Sequence, residues 1–278
     1  MPEMPEVEAF KKYVELHSLH KKIVEVTVSV EKVIQGISPT VFKKRLANAS
    51  FSKVERKGKY LIITLSPSPE KLVFHFGLTG FLMYEKSPKI DVHFSRTSFI
   101  FSDQSILHWC SIRLFGKIWL VKNLATIKEI ANLGPNALTL SEKKFLNLMT
   151  KSKRKNIKSF LMDQETIAGI GNEYSDEILF QAGVAPYHPI KELSQKRRIR
   201  IYEEMDKVLR YAIKLRTTEI TNMPSAGFFT AGESAKFPST YLQAHRHTDQ
   251  RCPKNRTHQL KKAKIAGRTA YYCPKDQT

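Results

Sequence analysis

Residues 169–183 read GIGNEYSDEILFQAG, and this stretch decides the architecture of the second half of the chain. Gly169 and Gly171 permit a tight turn between two helix-like segments. The helix predicted at 173–182 ends at Gly183, a residue type that closes helices in the left-handed conformation. Because the first amides of a helix point outward, a helix that begins directly after this turn predicts a phosphate-binding site. A plain helix–helix turn is the equal alternative on this stretch alone.

Helical patterns extend to both sides of the turn. They cover 141–150, with Ser141 as a candidate N-cap, then 156–163, and a long amphipathic helix with a basic face at 191–215. The segment 222–240 is rich in Gly, Ser and Pro, which predicts a mobile loop. The last segment, 251–273, ends in a hairpin-like pattern.

The first half of the chain has one helical pattern followed by mainly strand-like patterns. Apolar residues recur at spacings of three and four over 5–16, which predicts an amphipathic helix. Residues 23–31 then alternate, which places Val24, Val26, Val28 and Val30 on one side of a strand. Further strand-like runs occur at 59–66, 72–76, 91–95, 98–101, 105–109 and 117–121. Many short strands separated by turns predict a β-sandwich or barrel.

The charge balance indicates a polyanionic partner. The 278 residues include 46 Lys and Arg against 26 Asp and Glu, for a net charge of +20 and a pI near 9.8. DNA, RNA and an anionic membrane all fit such a field, and a nucleic acid fits best. No apolar run approaches the roughly 20 residues that cross a bilayer. The acidic N-terminus is not a secretory signal, and three cysteines predict no disulfide framework.

The N-terminus offers a nucleophile. A small second residue allows removal of Met1, so the mature chain is predicted to start at Pro2. Its secondary amine titrates at about 8, which leaves a useful neutral fraction at physiological pH. Such an amine attacks an aldehyde-like sugar carbon and forms an iminium. Glu3 beside it is a candidate acid or base.

Five motifs occur in one order along the chain. They are MPEMPEVE at 1–8, GKYL at 58–61, HFGLTG at 75–80, the stretch at 169–183, and GRTAYYC at 267–273. Together they resemble the formamidopyrimidine-DNA glycosylase / endonuclease VIII family of bifunctional DNA glycosylases and AP lyases. The resemblance spans essentially the whole chain and is weakest at 222–250.

The resemblance implies roles for individual residues. Pro2 would attack the sugar C1′, Glu3 would protonate the sugar ring oxygen, and Glu6 would steady the active site. Lys59 would contact the phosphate beside the lesion, with Lys57 as the alternative match. The remaining backbone contacts would come from His75, Asn172 and Arg268.

The same resemblance implies base flipping. A target base inside a duplex must be extruded at a cost of a few kcal/mol, and apolar wedges then fill the gap. Leu78, Leu114 and Phe115 lie where the family places such intercalating residues. Phosphates around the kinked DNA would be held by cations, which predicts binding that weakens steeply with salt.

The C-terminus departs from the family pattern. Family members commonly end in a zinc finger with two CxxC pairs, but here the pairs read Cys252-Pro-Lys-Asn255 and Cys273-Pro-Lys-Asp276. Structural zinc sites want four Cys or His ligands, so the sequence favours no metal, no cofactor and a zincless hairpin. An improvised site using His245, His247 or His258 is the less favoured alternative.

A second departure concerns the lesion. The family member that excises oxidised purines commonly has an Asp-Pro-Arg-Arg-Phe-Gly run, and Leu114 falls at the position of its second arginine. A leucine cannot hydrogen-bond to a cytosine edge. The predicted substrates are oxidised bases of the 8-oxoguanine and formamidopyrimidine type. The alternative is an endonuclease VIII-like preference for oxidised pyrimidines.

These observations predict an α+β protein in three parts. They are an N-terminal catalytic β-sandwich with a leading helix at 1–130, a helix–two-turn–helix domain at 131–240 and a zincless finger hairpin at 241–278. We expect a monomer that binds damaged double-stranded DNA in a positive cleft, contacts no membrane, and is cytoplasmic in a bacterium or nuclear in a eukaryote. The rivals are a non-catalytic damage-binding protein and a general RNA-binding protein.

Overall fold

The computed structural model describes residues 2–87, 92–222, 243–244 and 251–278. They fall into two compact units, Met1–Ala131 with Ile213–Lys236, and Asn132–Ala212 with Phe237–Thr278. The loop predicted at 222–240 lies, apart from Asn222, outside the described residues. None of the helices in the described part of the chain is long and apolar enough to cross a membrane.

The first unit is a leading helix on two β-sheets. Its helices are α1 (Met4–His17), α2 (Pro39–Leu46) and α3 (Lys128–Ala131). Its strands are β1 (Ile23–Val28), β2 (Ile34–Gln35), β3 (Ser50–Lys57), β4 (Tyr60–Ser66), β5 (Lys71–His75), β6 (Gly80–Glu85), β7 (Ser95–Phe101), β8 (Ile106–Ser111) and β9 (Lys117–Val121). One sheet has the order β1-β7-β8-β6 and the other β2-β9-β5-β4-β3.

Aromatic side chains join the two sheets. Phe51 on β3 packs edge-on against Phe99 and Phe101 of β7, with ring centroids 5.9 and 5.6 Å apart. Phe74 on β5 meets Phe99 in the same way at 6.0 Å. All four rings are buried, and offset or edge-on aromatic pairs add to the free energy of area burial. The predicted sandwich is therefore confirmed.

Two strand predictions need correction. The pairing of β1 with β7 shifts register between Ile23 and Glu25, and Val24 is 51% exposed while Val26 is buried. A bulge of this kind interrupts the two-residue period, so the four valines do not share one buried face. The predicted strand at 91–95 is also wrong in its described part, because the strand begins only at Ser95.

Helices dominate the second unit. They are α4 (Glu142–Lys151), α5 (Ile157–Met162), α6 (Asn172–Ala182) and α7 (Gln195–Asn222), the last of which continues into the first unit. Ser141 caps α4 by accepting a hydrogen bond from the Lys144 amide. Gly183 ends α6 with φ +70°, as its residue type predicts.

A two-stranded hairpin completes the second unit. Strands β10 (Lys261–Ile265) and β11 (Arg268–Tyr272) pair antiparallel around a turn in which Ala266 and Gly267 both have positive φ. Two positive φ values in succession match the right-handed twist of hairpin strands. The hairpin base packs on α6 through a small core of Phe180, Ala244, Cys252, Leu260 and Cys273.

Candidate functional site

Hydrogen bonds that link Glu3, Glu6 and Arg216 fix the start of α1. Glu3 is the N-cap of the helix, and the Glu6 carboxylate accepts a hydrogen bond from the Glu3 amide at 2.9 Å. The Arg216 guanidinium, near the end of α7, donates to the other oxygen of Glu6 at 3.1 Å. Glu3 is fully buried, and Glu6 and Arg216 are buried as well. The backbone next to Pro2 is thus fixed by a partner 210 residues away.

Two further contacts hold α1 on its sheets. Phe10 packs against Phe76 in the loop after β5, with ring centroids 4.5 Å apart. Arg56, at the end of β3, donates to the Glu8 carboxylate at 2.7 Å. Because Gly58 turns the chain back with φ +57°, Lys59 follows directly on a turn that Arg56 anchors.

His75 is held in one protonation state. Burial first, and then the charges of Lys59 and Lys117, lower the pKa of His75 to about 4, so the ring is neutral at pH 7. Its Nδ1 accepts a hydrogen bond from the Gly77 amide at 3.3 Å. A neutral imidazole that accepts at Nδ1 carries its proton on Nε2, which leaves an N–H donor suited to a phosphate oxygen.

The three predicted wedge residues lie on two loops that touch. A Cβ on Gly77 would stand 2.4 Å from the backbone carbon of Phe115, so only glycine permits this approach. The Thr79 hydroxyl also accepts a hydrogen bond from the Arg113 amide at 2.9 Å. The structure therefore brings the loop of Leu78 against the loop that carries Leu114 and Phe115.

The exposure of these side chains suits contact with a large partner. Phe115 is 55% exposed, an unusual state for a phenylalanine, and the Arg113 guanidinium lies 5.3 Å from its ring centroid. Leu78 and Leu114 are half-buried, and Leu114 has φ +55°. A left-handed leucine is rare and marks a constrained site.

The turn at 169–172 lies in the second unit. Gly169 has φ +115°, and the Gln164 side chain bridges the turn by accepting from the Gly169 amide and donating to the Ile170 carbonyl. Asn172 opens α6, and its Oδ1 is buried with no hydrogen-bond partner in the described part of the chain. This side chain therefore lies at a helix N-terminus.

A buried ion pair lies beneath this turn. Lys158 on α5 donates to the Asn172 carbonyl at 3.1 Å, to the Ser175 hydroxyl at 3.0 Å and to the Asp176 carboxylate. Asp176 in turn accepts from the Tyr271 amide on β11 at 3.2 Å. Lys158 and Asp176 therefore tie the turn of Asn172 to the hairpin.

Arg268 begins β11 as an exposed side chain. It belongs to a group of cations on and around the hairpin. Four others help to line a cavity of about 540 Å³: Arg251, Arg256, Lys261 and Lys275. Among the larger apolar side chains of the hairpin strands, Ile265 is buried, whereas Tyr271 and Tyr272 are half-buried.

Two thiols, a carboxylate and an imidazole meet at the hairpin base. The Sγ atoms of Cys252 and Cys273 each lie 3.0 Å from Oδ2 of Asp276, and Nδ1 of His258 lies 3.0 Å from the same oxygen. Hydrogen bonds from both thiols and then from the imidazole lower the pKa of Asp276 to about 2. Burial, followed by the contact with Asp276, raises the pKa of Cys273 to about 11.

Sequence reasoning missed three of these features. Neither Arg216 nor the pair of Lys158 and Asp176 carries a local signal, since each partner is an ordinary helix residue in the sequence. In the sequence Asp276 stands only at the position of a lost cysteine, although it keeps the spacing of the CxxC pair. The predicted histidines His245 and His247 lie outside the described residues.

Two family models match the chain. Residues 1–118 match the formamidopyrimidine-DNA glycosylase N-terminal domain, and residues 133–223 match the formamidopyrimidine-DNA glycosylase H2TH domain. The chain belongs to the formamidopyrimidine-DNA glycosylase family. Membership makes it a DNA-binding glycosylase of base excision repair.

Formamidopyrimidine-DNA glycosylases from other organisms align with nearly the whole of this chain. It is 32% identical to the formamidopyrimidine-DNA glycosylase of Pelotomaculum thermopropionicum, over 99% of this chain and 98% of the relative. It is also 32% identical to that of Mycoplasma genitalium, over 98% of this chain and 94% of the relative.

Solved structures share the same fold. Lactococcus lactis Fpg in complex with DNA containing an abasic site aligns over 99% of both chains, with a TM-score of 0.85 and 24% identity. Lactococcus lactis FPG (MutM) in complex with DNA containing FAPY-dG aligns over 99% of this chain and 100% of that chain, again with a TM-score of 0.85 and 24% identity.

Proposed function

We propose that this glycosylase removes oxidised bases of the 8-oxoguanine and formamidopyrimidine type, and that it also cuts the DNA at the resulting abasic site. Pro2 is the nucleophile and Glu3 the acid. The observation that carries the proposal is the chain of contacts from Arg216 through Glu6 to the Glu3 amide. These contacts fix the backbone of Glu3, to which Pro2 is bonded.

The reaction begins once Met1 has been removed and the Pro2 amine is neutral. The amine forms a bond to the sugar C1′, while the bond from C1′ to the base breaks, and the base leaves with the electron pair and takes up the proton that the Pro2 nitrogen loses. Glu3 protonates the sugar ring oxygen, the ring opens, and the nitrogen lone pair forms an iminium with C1′.

The iminium then makes strand cleavage possible, because it withdraws electrons from the neighbouring C2′. Loss of a proton from C2′ expels the 3′ phosphate in a β-elimination. A second elimination, with loss of a proton from C4′, expels the 5′ phosphate, and water then hydrolyses the iminium, which releases the sugar remnant and frees Pro2. No redox or nucleotide cofactor takes part in these steps, since every electron pair comes from the amine or from broken C–H bonds.

Neutral and cationic donors hold the DNA during these steps. Lys59 and the Nε2–H of His75 donate hydrogen bonds to the phosphates beside the lesion. Asn172 and Arg268, both in the second unit, contact the DNA backbone. Leu78, Leu114 and Phe115 fill the gap that the flipped base leaves. The complexes of Lactococcus lactis Fpg with abasic-site DNA and with FAPY-dG DNA support damaged DNA as the substrate.

One observation favours a second substrate class. Leu114 offers no hydrogen bond to the base opposite the lesion, and its backbone lies in the left-handed region with φ +55°. Discrimination for cytosine opposite the lesion is therefore expected to be weak. An endonuclease VIII-like preference for oxidised pyrimidines is the alternative that this leucine favours.

Duplexes that each carry one lesion test the proposal. Base release and strand cleavage are measured for 8-oxoguanine, a formamidopyrimidine and an oxidised pyrimidine, each opposite all four bases. The proposal expects the purine lesions to react fastest, with little dependence on the opposite base. Leu114→Arg is expected to raise discrimination for cytosine by about 1–3 kcal/mol. A clear preference for the pyrimidine lesion would overturn the substrate assignment.

A further inference from the structure

The cavity beside the hairpin, called here the cationic cavity, is lined by exposed cations from both sides of the hairpin: Arg251, Arg256, Lys261 and Lys275. Its volume of about 540 Å³ lies within the range of about 300–1,000 Å³ that is usual for ligand sites. Within the described part of the chain, no Asp or Glu lines it. The cationic cavity therefore has the charge of an anion-binding site.

The carboxylate closest in sequence to this lining is already occupied. Asp276 contacts the lining residue His258 through Nδ1 at 3.0 Å, and it accepts hydrogen bonds from the thiols of Cys252 and Cys273. Like charges around one cavity repel one another, and a bound anion would relieve that repulsion. The composition of the cationic cavity thus favours a phosphate-bearing ligand.

Two tyrosines border the cationic cavity. Tyr187, in the turn that follows α6, is 52% exposed, and its ring centroid lies 5.7 Å from that of Tyr272 on β11. Tyr272 lies directly opposite Lys261 in the hairpin register. Directly opposite residues of an antiparallel pair present their side chains on the same face, about 5 Å apart. Lys261 therefore connects the lining of the cavity to the aromatic pair.

Cations beside exposed aromatic rings are the combination that binds single-stranded nucleic acid. The cations follow the phosphates, and the rings stack on bases of any sequence. A paired base inside a duplex is already stacked on both faces, so it cannot cover an exposed tyrosine without leaving the helix. Because the family model that matches this unit is a DNA glycosylase domain, the strand that fits best is DNA.

We propose that the cationic cavity and the pair of Tyr187 and Tyr272 bind a short stretch of unpaired DNA. Phosphates of the strand lie against the cations, and one base stacks on the exposed ring of Tyr187. The site goes beyond the proposed function, because it includes none of the residues that have a role there. All of its residues belong to the second unit.

Fluorescence anisotropy of a labelled oligo(dT) tests the proposal on the full-length chain. An oligomer of about ten nucleotides suits a site of this kind. It is titrated with and without a saturating unlabelled duplex that carries an abasic-site analogue. The oligomer is expected to bind in both cases, while inorganic phosphate and thymidine monophosphate compete only weakly. Full displacement of the oligomer by the duplex would place it in the lesion site and overturn the proposal.

Tyrosine variants test the stacking. Tyr187→Ala is expected to weaken oligo(dT) binding by about 5- to 150-fold, whereas Tyr187→Phe keeps the ring and the affinity. Tyr211→Ala is the matched control, since it removes a tyrosine of α7 that is 58% exposed. Circular dichroism reports whether each variant folds. Equal affinities of folded Tyr187→Ala and Tyr211→Ala would show that the proposal is wrong.

Lysine and arginine variants test the phosphate contacts. Arg256→Ala is expected to reduce the slope of log Kd against log salt by about 0.7, the value for one phosphate of a single strand. Lys262→Ala is the control on the same hairpin, because neighbouring residues of a strand point to opposite faces. An unchanged slope in Arg256→Ala would remove the cationic cavity from the site.

Two further measurements separate this proposal from its neighbours. Base release from a lesion duplex is expected to be unchanged in Tyr187→Ala, so loss of glycosylase activity in the wild-type chain would count against the proposed function and not against this site. Oligo(U) is expected to bind no more tightly than oligo(dT). A clear preference for oligo(U) would overturn the assignment to DNA.

Discussion

The Arg216 guanidinium donates to the Glu6 carboxylate over 3.1 Å, and both side chains are almost fully buried. A buried pair of this kind is costly to break, because removal of one partner leaves an uncompensated charge away from water. Glu6 also accepts from the Glu3 amide. Arg216 is therefore a positioning residue for the predicted nucleophile and acid.

Replacement of Arg216 by Met is expected to lower the free energy of unfolding by about 3–5 kcal/mol, as measured by urea titration. Arg210→Ala is the matched control on the same helix. Its ion pair with Asp206 is exposed, so about 0.3–0.5 kcal/mol is expected there. Arg216→Lys keeps the positive charge and should therefore retain part of the stability that Arg216→Met loses. Equal losses of stability in Arg216→Met and Arg210→Ala would contradict the role given to the ion pair of Arg216 with Glu6.

The buried pair of Lys158 and Asp176 makes a second prediction. Lys158→Met leaves the Asp176 charge unpaired, and we expect a loss of about 3–5 kcal/mol in stability together with weaker DNA binding. The double variant Lys158→Met, Asp176→Leu removes both charges and is expected to recover much of the stability. A double variant no more stable than the single one would show that charge burial is not the cause.

His75 makes a prediction about pH. Its pKa is lowered to about 4 in the folded chain, whereas an unfolded histidine titrates near 6.5. Between these values the unfolded state binds a proton that the folded state does not, so stability falls as pH falls from about 6.5 to about 4.

Urea titrations at pH 7.5 and 4.5 test this prediction. His75→Gln is expected to lose less stability between the two pH values than the wild-type chain does. His20→Gln, which removes an exposed imidazole of the same unit, controls for the loss of one histidine. The assignment fails if His75→Gln and His20→Gln respond to pH alike.

Arg268 makes a prediction about salt. If it contacts a phosphate, Arg268→Ala should reduce the slope of log Kd against log salt by about 1 and weaken binding to all sequences alike. Lys53→Ala, which removes an exposed cation paired with Glu55 in the first unit, serves as the control. An unchanged slope in Arg268→Ala, measured by fluorescence anisotropy, would remove Arg268 from the interface.

The sequence predicts those parts of the fold that depend on local rules. The caps at Ser141 and Gly183, the turn at 169–172 and most strands follow from residue type and spacing. The face of β1 does not, since the bulge after Ile23 depends on its partner strand. The ion pairs of Arg216 and Lys158 cannot be predicted from local sequence either. Their partners lie 210 and 18 residues away, and tertiary packing decides whether a cation is buried.

Borohydride trapping tests the central claim most directly. The chain, with Met1 shown by mass spectrometry to be absent, is mixed with a duplex that carries one abasic site, and borohydride is added to reduce any iminium. The account predicts a covalent adduct whose peptide map places the DNA on Pro2, and a collapse of that adduct in Pro2→Gly. Tight binding of the duplex with no adduct would contradict the catalytic role of Pro2 and favour a protein that only binds damaged DNA.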